Sequence, residues 1–256
     1  MKRILLAIFT LFVAWSAYAQ KQKVNHMTTF DDKLIHFGFS LGINTLDFGV
    51  THYNPIGTNP DFNELSPVYA GEKRITGDDY LRADVTQLIP GFTVGIISSL
   101  RLSRDFNLRF LPGLSFGERQ LTYNELVWDN QGNTSNPEYY YSIKSTFLDF
   151  PLLIKYKARR INNDRPYIIF GPAYRQDISR TGRDDLVRLR SGALYAELGA
   201  GWDHYFTFFR FSVEGKVSLG LHNVLGAPPS DQQRQYYSHA IKDLRSNIFT
   251  LSFHFE

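Results

Sequence analysis

The chain contains no cysteine, which excludes disulfide bonds and thiolate metal centres. It also lacks any apolar run long enough for a membrane helix. The candidate at residues 4–14 is eleven residues, and a crossing helix takes about 20. Charge of one sign is missing too: 28 Lys and Arg stand against 25 Asp and Glu, so the balance does not point to nucleic acid. The seven histidines, His26, His36, His52, His204, His222, His239 and His254, are scattered, with no pair at metal-ligand spacing. Gly113 and Gly117 open no helix and lack the Lys-Ser/Thr ending of a phosphate loop.

What is present begins with an export pattern. Lys2 and Arg3 precede the apolar residues 4–14, and Ala17-Tyr18-Ala19 supplies small residues before Gln20. Residues 1–19 therefore read as a cleaved signal peptide, leaving residues 20–256 as one domain. Without Lys2 and Arg3 the charges stand at 26 against 25. Aromatic residues make up 15%, with 21 Phe and 15 Tyr, a composition suited to strands and membrane interfaces.

After a polar lead at 20–33, expected to be mobile in the periplasm, eight segments carry a two-residue apolar period: 34–48, 88–103, 107–121, 141–157, 166–178, 192–206, 209–222 and 245–256. Each is long enough to cross a bilayer as a tilted strand, which takes about 9–11 residues. In the first, Ile35, Phe37, Phe39, Leu41 and Ile43 alternate with His36, Gly38, Ser40, Gly42 and Asn44. A soluble sandwich alternates as well. The connections separate the two cases, because those after the second, fourth and sixth segments are short and the others long. Short periplasmic turns opposite long external loops are the asymmetry of bacterial outer-membrane barrels. The expected fold is all-β: an eight-stranded antiparallel up-and-down transmembrane β-barrel in the cell outer membrane, with periplasmic termini, long external loops and lipid around it. Tyr53, Tyr123, Tyr139, Tyr140, Tyr141, Tyr236 and Tyr237 are expected in an outer aromatic girdle, and Tyr156, Trp202 and Tyr205 in a periplasmic one.

Carried through every strand, the alternation puts most charged strand residues on one face. The basic set is Arg101, Arg109, Arg119, Lys155, Arg175, Arg210 and Lys216; the acidic set is Asp149, Glu197, Asp203 and Glu214. An eight-stranded barrel has an interior only wide enough for side chains, and a buried unpaired charge is costly. These residues are expected to form a structural salt-bridged plug in a polar lumen, with glycines on the same face leaving room for long arginines. His222, Ser230 and Asp231 are the nearest approach to an acid–base group at the external rim. No oxyanion-hole signature accompanies them, so the expectation is no enzyme, no cofactor, no metal and no small-molecule substrate.

Residues 147–157, Phe-Leu-Asp-Phe-Pro-Leu-Leu-Ile-Lys-Tyr-Lys, are followed by a basic turn, by Arg165-Pro166-Tyr167 and by Gly171-Pro172-Ala173-Tyr174-Arg175. Together with Lys33-Leu34-Ile35-His36-Phe37-Gly38 and Leu41-Gly42-Ile43-Asn44, they resemble the PorT family of Bacteroidetes outer-membrane proteins over essentially the whole mature chain. The resemblance implies a role in the type IX secretion system, which exports cargo bearing C-terminal signals and, in gliding species, adhesins. It carries over no catalytic residue. A filled barrel is too narrow to pass folded cargo, so the expected role is an accessory beside the conduit, in contact with other secretion components through exposed turns and loops. The alternative is a generic small barrel whose long external loops bind a ligand or surface.

Overall fold

The computed structural model describes residues 24–62, 68–70, 73–78, 82–124, 127–128, 134–135, 138–179, 187–227 and 238–256. The signal peptide expected at 1–19 lies outside them, as do Ser230, Asp231, Tyr236 and Tyr237. In chain order the strands are β1 (Ile35–His52), β2 (Val68–Ala70), β3 (Lys73–Ile75), β4 (Arg82–Leu88), β5 (Pro90–Arg101), β6 (Phe106–Phe110), β7 (Gly113–Asn124), β8 (Val127–Trp128), β9 (Thr134–Ser135), β10 (Glu138–Lys157), β11 (Asp164–Asp177), β12 (Gly192–Tyr205), β13 (Arg210–Gly220) and β14 (Ile241–Phe255).

Ten of these segments form one antiparallel sheet. It closes on itself, since β1 pairs with β14 through Phe39↔Phe255 and with β5 through Ile35↔Leu100. Two crossings are each made of two segments, β4 with β5 and β6 with β7, so ten segments make eight traversals. The second break falls at Leu111 and Pro112, where proline has no N–H to give the ladder. The seam stays knitted: the Ile96 N–H donates to the Pro112 carbonyl at 3.0 Å and the Leu111 N–H to the Pro151 carbonyl at 3.3 Å. Turns at 102–105, 158–163 and 206–209 are short, whereas the opposite connections are long and carry the β2–β3 and β8–β9 hairpins.

Several strands extend further outward than the alternation suggests. The first, expected at 34–48, runs to His52; the fourth begins at Glu138 and the last at Ile241. The reason is an inversion of the pattern. Up to Ile43, β1 turns Phe37, Phe39, Leu41 and Ile43 out and His36, Ser40 and Asn44 in. Beyond it, Leu46 and Phe48 face inward and are buried, with the half-exposed Asp47 outside. In β14, Phe249 faces out, yet Asn247, Arg245 and Asp243 take the outer positions above it and Ile248 and Leu244 the inner. Likewise β10 turns Leu148, Phe150 and Leu152 outward but Ser142 and Lys144 at its outer end. The change of sense marks where lipid ends and water begins, since an outer wall in water needs polar residues and an apolar interior.

The periplasmic aromatic belt is present: Phe106 packs on Tyr156 at 5.0 Å between ring centroids, Phe206 on Phe209 at 5.0 Å, and Trp202 is exposed on the outer face. Three tyrosines depart from the expected girdles. Tyr205 and Tyr123 are buried and point inward, and Tyr141 packs against the internal apolar cluster.

Candidate functional site

The lumen is filled from end to end, and the parity of each strand decides what fills it. Odd positions of β10, β11 and β12 and even positions of β13 and β14 face inward. At the centre, Arg109 Nη1 lies 2.8 Å from Glu214 Oε2 and its Nη2 3.4 Å from the Glu256 carboxylate, which also pairs with Arg210. Tyr167 donates to Glu214 at 2.8 Å, and His254 Nε2 approaches the same carboxylate at 3.3 Å. Lys155 holds both oxygens of Asp203, at 2.8 and 2.7 Å, while standing 3.6 Å over the Tyr167 ring. Tyr167 can lie there because Gly201 faces it; a Cβ on Gly201 would come within 2.4 Å of the ring.

Outward of this layer, Arg175 bridges Asp149 at 2.9 Å and Glu197 at 2.6 Å. Lys216 completes Glu197 at 2.7 Å, and the Ser218 and Ser115 hydroxyls donate to Glu197 and Asp149. A cavity of about 30 Å³ borders Asp149, Arg175 and Lys216, room for about one water.

The outer half of the lumen is apolar, which corrects the expectation of a polar interior throughout. Leu46, Phe48, Leu121, Ile143, Phe147, Leu244 and Ile248 form one buried cluster. Gly117 makes space for Leu46, whose Cδ1 would lie 2.5 Å from an added Cβ; glycine here accommodates a leucine, not an arginine. Arg119 sits inside this cluster. It is sandwiched by the rings of Phe48 at 4.2 Å and Phe147 at 5.4 Å, and its Nη2 donates to Ser246 Oγ at 2.6 Å. The expected pairing of every lumen charge fails here: no carboxylate pairs with Arg119 among the described residues, and its partners are π faces and one hydroxyl.

Arg101 is the other departure. It lies at the periplasmic mouth, a third exposed, with Nη1 2.9 Å from the Asp32 carbonyl and 3.6 Å from its carboxylate. The remaining nine expected residues, Arg109, Asp149, Lys155, Arg175, Glu197, Asp203, Arg210, Glu214 and Lys216, are buried in the ion-paired network.

Sequence reasoning missed Asp31, Lys157, Arg165, Tyr167, His254 and Glu256. The last five continue the inward parity of their strands, so the signal was there. Asp31 lies before β1, where no period applies. The lead does not trail free over its described part. Residues 30–32 form a single 3-10 turn, and Phe30 stacks on His36 at 4.2 Å. Asp31 reaches into the mouth, 3.0 Å from Arg165, 3.6 Å from Arg210 and 3.7 Å from Lys157, and accepts the Tyr205 hydroxyl at 2.7 Å. Behind it, Arg160 bonds the His26 carbonyl and the Asn163 side chain bonds the Val24 carbonyl at 2.9 Å.

Burial raises the Asp31 pKa, but Lys157, the Tyr205 hydroxyl, Arg210 and Arg165 outweigh it and hold the carboxyl below its ordinary range. A depressed folded-state pKa contributes stability that is complete above the unfolded value, about 3.9, and is lost as pH falls through the folded one. The protection factors of amides in residues 24–33, with the intrinsic pH dependence of exchange divided out, are therefore expected to be high at neutral pH and to fall only in acid below that value. In Asp31→Asn the lead should show low protection factors across the whole range; a lead equally protected in both proteins would show that the ion pairs do not anchor it.

The described residues contain no group of His, Asp and Glu that could hold a metal ion. Among the described residues the lumen carboxylates are paired and the interior is occupied by side chains.

The sequence pattern of the family described as outer membrane protein beta-barrel domain matches residues 18–226. No curated protein matches the sequence. Among solved structures, the chain is similar to Neisserial surface protein A at 9% identity and TM-score 0.40, covering 87% of this chain and 98% of that one. It is also similar to OprG from Pseudomonas aeruginosa, at 12% identity and TM-score 0.42 over 87% and 94% of the two chains. A third is the outer membrane protease OmpT from Escherichia coli, at 10% identity and TM-score 0.39 over 87% and 96%.

Proposed function

This chain belongs to the outer membrane protein beta-barrel domain family, and from that premise we propose that it is a non-enzymatic accessory of type IX protein secretion. In this reading a cleaved signal peptide exports it, and it acts through contacts with other secretion components beside the conduit. The observation that carries the reading is the occupied lumen. Charged layers fill its periplasmic half and an apolar cluster its outer half, so partner contact is the work left to the surface. The secretion assignment is supported by the PorT-like residues 147–157 and 171–175. Four of them, Asp149, Lys155, Lys157 and Arg175, are ion-paired within the barrel.

The test is deletion of the gene and complementation by this chain, with secreted proteins compared by mass spectrometry. Proteins carrying C-terminal sorting domains are expected to accumulate in the periplasm of the deletion strain and to be released on complementation. Untouched export would sink the secretion role, leave the barrel standing and move attention to ligand binding by the long external loops.

A further inference from the structure

The periplasmic end face carries a pocket of about 280 Å³, lined by five arginines and three aspartates. It is built by pairing across the sheet. Phe106 of β6 lies opposite Tyr156 of β10, which brings the 102–105 turn beside the 158–163 turn. The Lys157 N–H then ties them, donating to the Asp105 carbonyl at 2.8 Å.

Three of the arginines are already engaged. Arg101 holds Asp32, and Arg165 holds Asp31 at 3.0 Å and approaches Asp105 at 3.7 Å. Arg160 bonds the Asn162 carbonyl at 2.7 Å and Asn163 Oδ1 at 2.9 Å, and its guanidinium lies 3.8 Å from the centre of the Tyr205 ring. Each of the three carboxylates thus has an arginine partner. Arg104 and Arg159, one on each turn, are exposed and have no side-chain partner among the described residues. Two guanidiniums with open donor edges lining one pocket match an oxyanion ligand such as a carboxylate pair.

The position selects the source of those carboxylates. At this level the lipid-facing residues are Leu102, Phe106 and Tyr156, all exposed on the outer wall. The arginines stand on the turns beyond them, facing the aqueous end. The pocket is too small for a folded surface and has room for one or two acidic side chains. We propose that the Arg104–Arg159 pocket is the docking site for an extended acidic segment of a periplasmic partner protein, recognised as acidic motifs are by arginine clusters. This deepens the accessory role and rests on it for the existence of such a partner.

The probe is fluorescein-labelled hexaglutamate, titrated by anisotropy against the purified full chain in zwitterionic nanodiscs. Binding is expected, weakening as salt is raised and the Debye length falls. Arg104→Gln/Arg159→Gln should bind on the order of tenfold more weakly, with folding checked by gel mobility with and without heating. Because both side chains are exposed and unbonded, the variant should fold as the wild type does. Equal affinity of the two proteins overturns the proposal. So does full displacement of the peptide by equimolar inorganic phosphate, which would leave a simple anion hole. Loss of peptide binding in phosphatidylglycerol nanodiscs would give the pocket to a lipid headgroup and overturn it as well. Peptide binding and cargo export are scored separately, so either can fail without deciding the other.

Discussion

Replacing Arg109 by methionine is expected to lower the free energy of unfolding by about 3–5 kcal/mol, the scale of breaking a buried ion pair from one side. The guanidinium is fully buried and is shared by Glu214 and Glu256. Without it Glu214 keeps only the Tyr167 hydroxyl and the nearby His254, with Lys216 further off, and Glu256 keeps Arg210. Denaturant unfolding in lipid vesicles, followed by tryptophan fluorescence, measures the loss. Arg109→Met/Glu214→Gln should recover part of it, because the carboxylate left without its cation is then neutral. Arg119→Met is the contrast. No carboxylate is orphaned there, and the expected cost is about 1–2 kcal/mol, the scale of a desolvated cation–π contact. Equal losses at the two positions would mean that pairing does not govern the lumen.

The second large effect is expected on the outer wall. Leu41→Arg puts a charge on the lipid-facing side, opposite Val94 on one neighbour and Phe253 on the other. Near the bilayer midplane such a charge costs about 2–4 kcal/mol. Asp47→Arg, six residues along the same face of the same strand, should cost only about 0–1 kcal/mol, the interfacial value. Similar costs at both positions would show that the lipid boundary does not lie where the alternation changes sense.

The barrel was legible because three independent signals agreed: an export pattern, a two-residue period and alternating loop lengths. Strand ends were less legible, since the same period continues through Leu46 and Phe48 with its apolar and polar roles exchanged. A period counts positions and does not say which side is wet. For that reason the apolar outer core was read as polar, and Tyr123 as part of an aromatic belt. The lumen charges were found by parity alone, and the same parity within segments 141–157 and 245–256 also turns Lys157, His254 and Glu256 inward. Two kinds of information were out of reach. The choice of aromatic rings over a carboxylate for Arg119 depends on which strands meet across the lumen. The seating of Asp31 depends on a chain reversal before the first periodic residue.

Arg210 receives Asp31 from just before β1 and Glu256 from just after β14, and those two strands form the pair that closes the cylinder. The arginine therefore reads the alignment of the closing pair. A slip of one residue is rejected already, because it exchanges the inward and outward faces of the whole strand. A slip of two preserves the faces but displaces one strand by roughly 6.7 Å, carrying one carboxylate out of contact range. The clasp thus discriminates against the error that in/out patterning alone would pass, acting as a vernier on barrel closure.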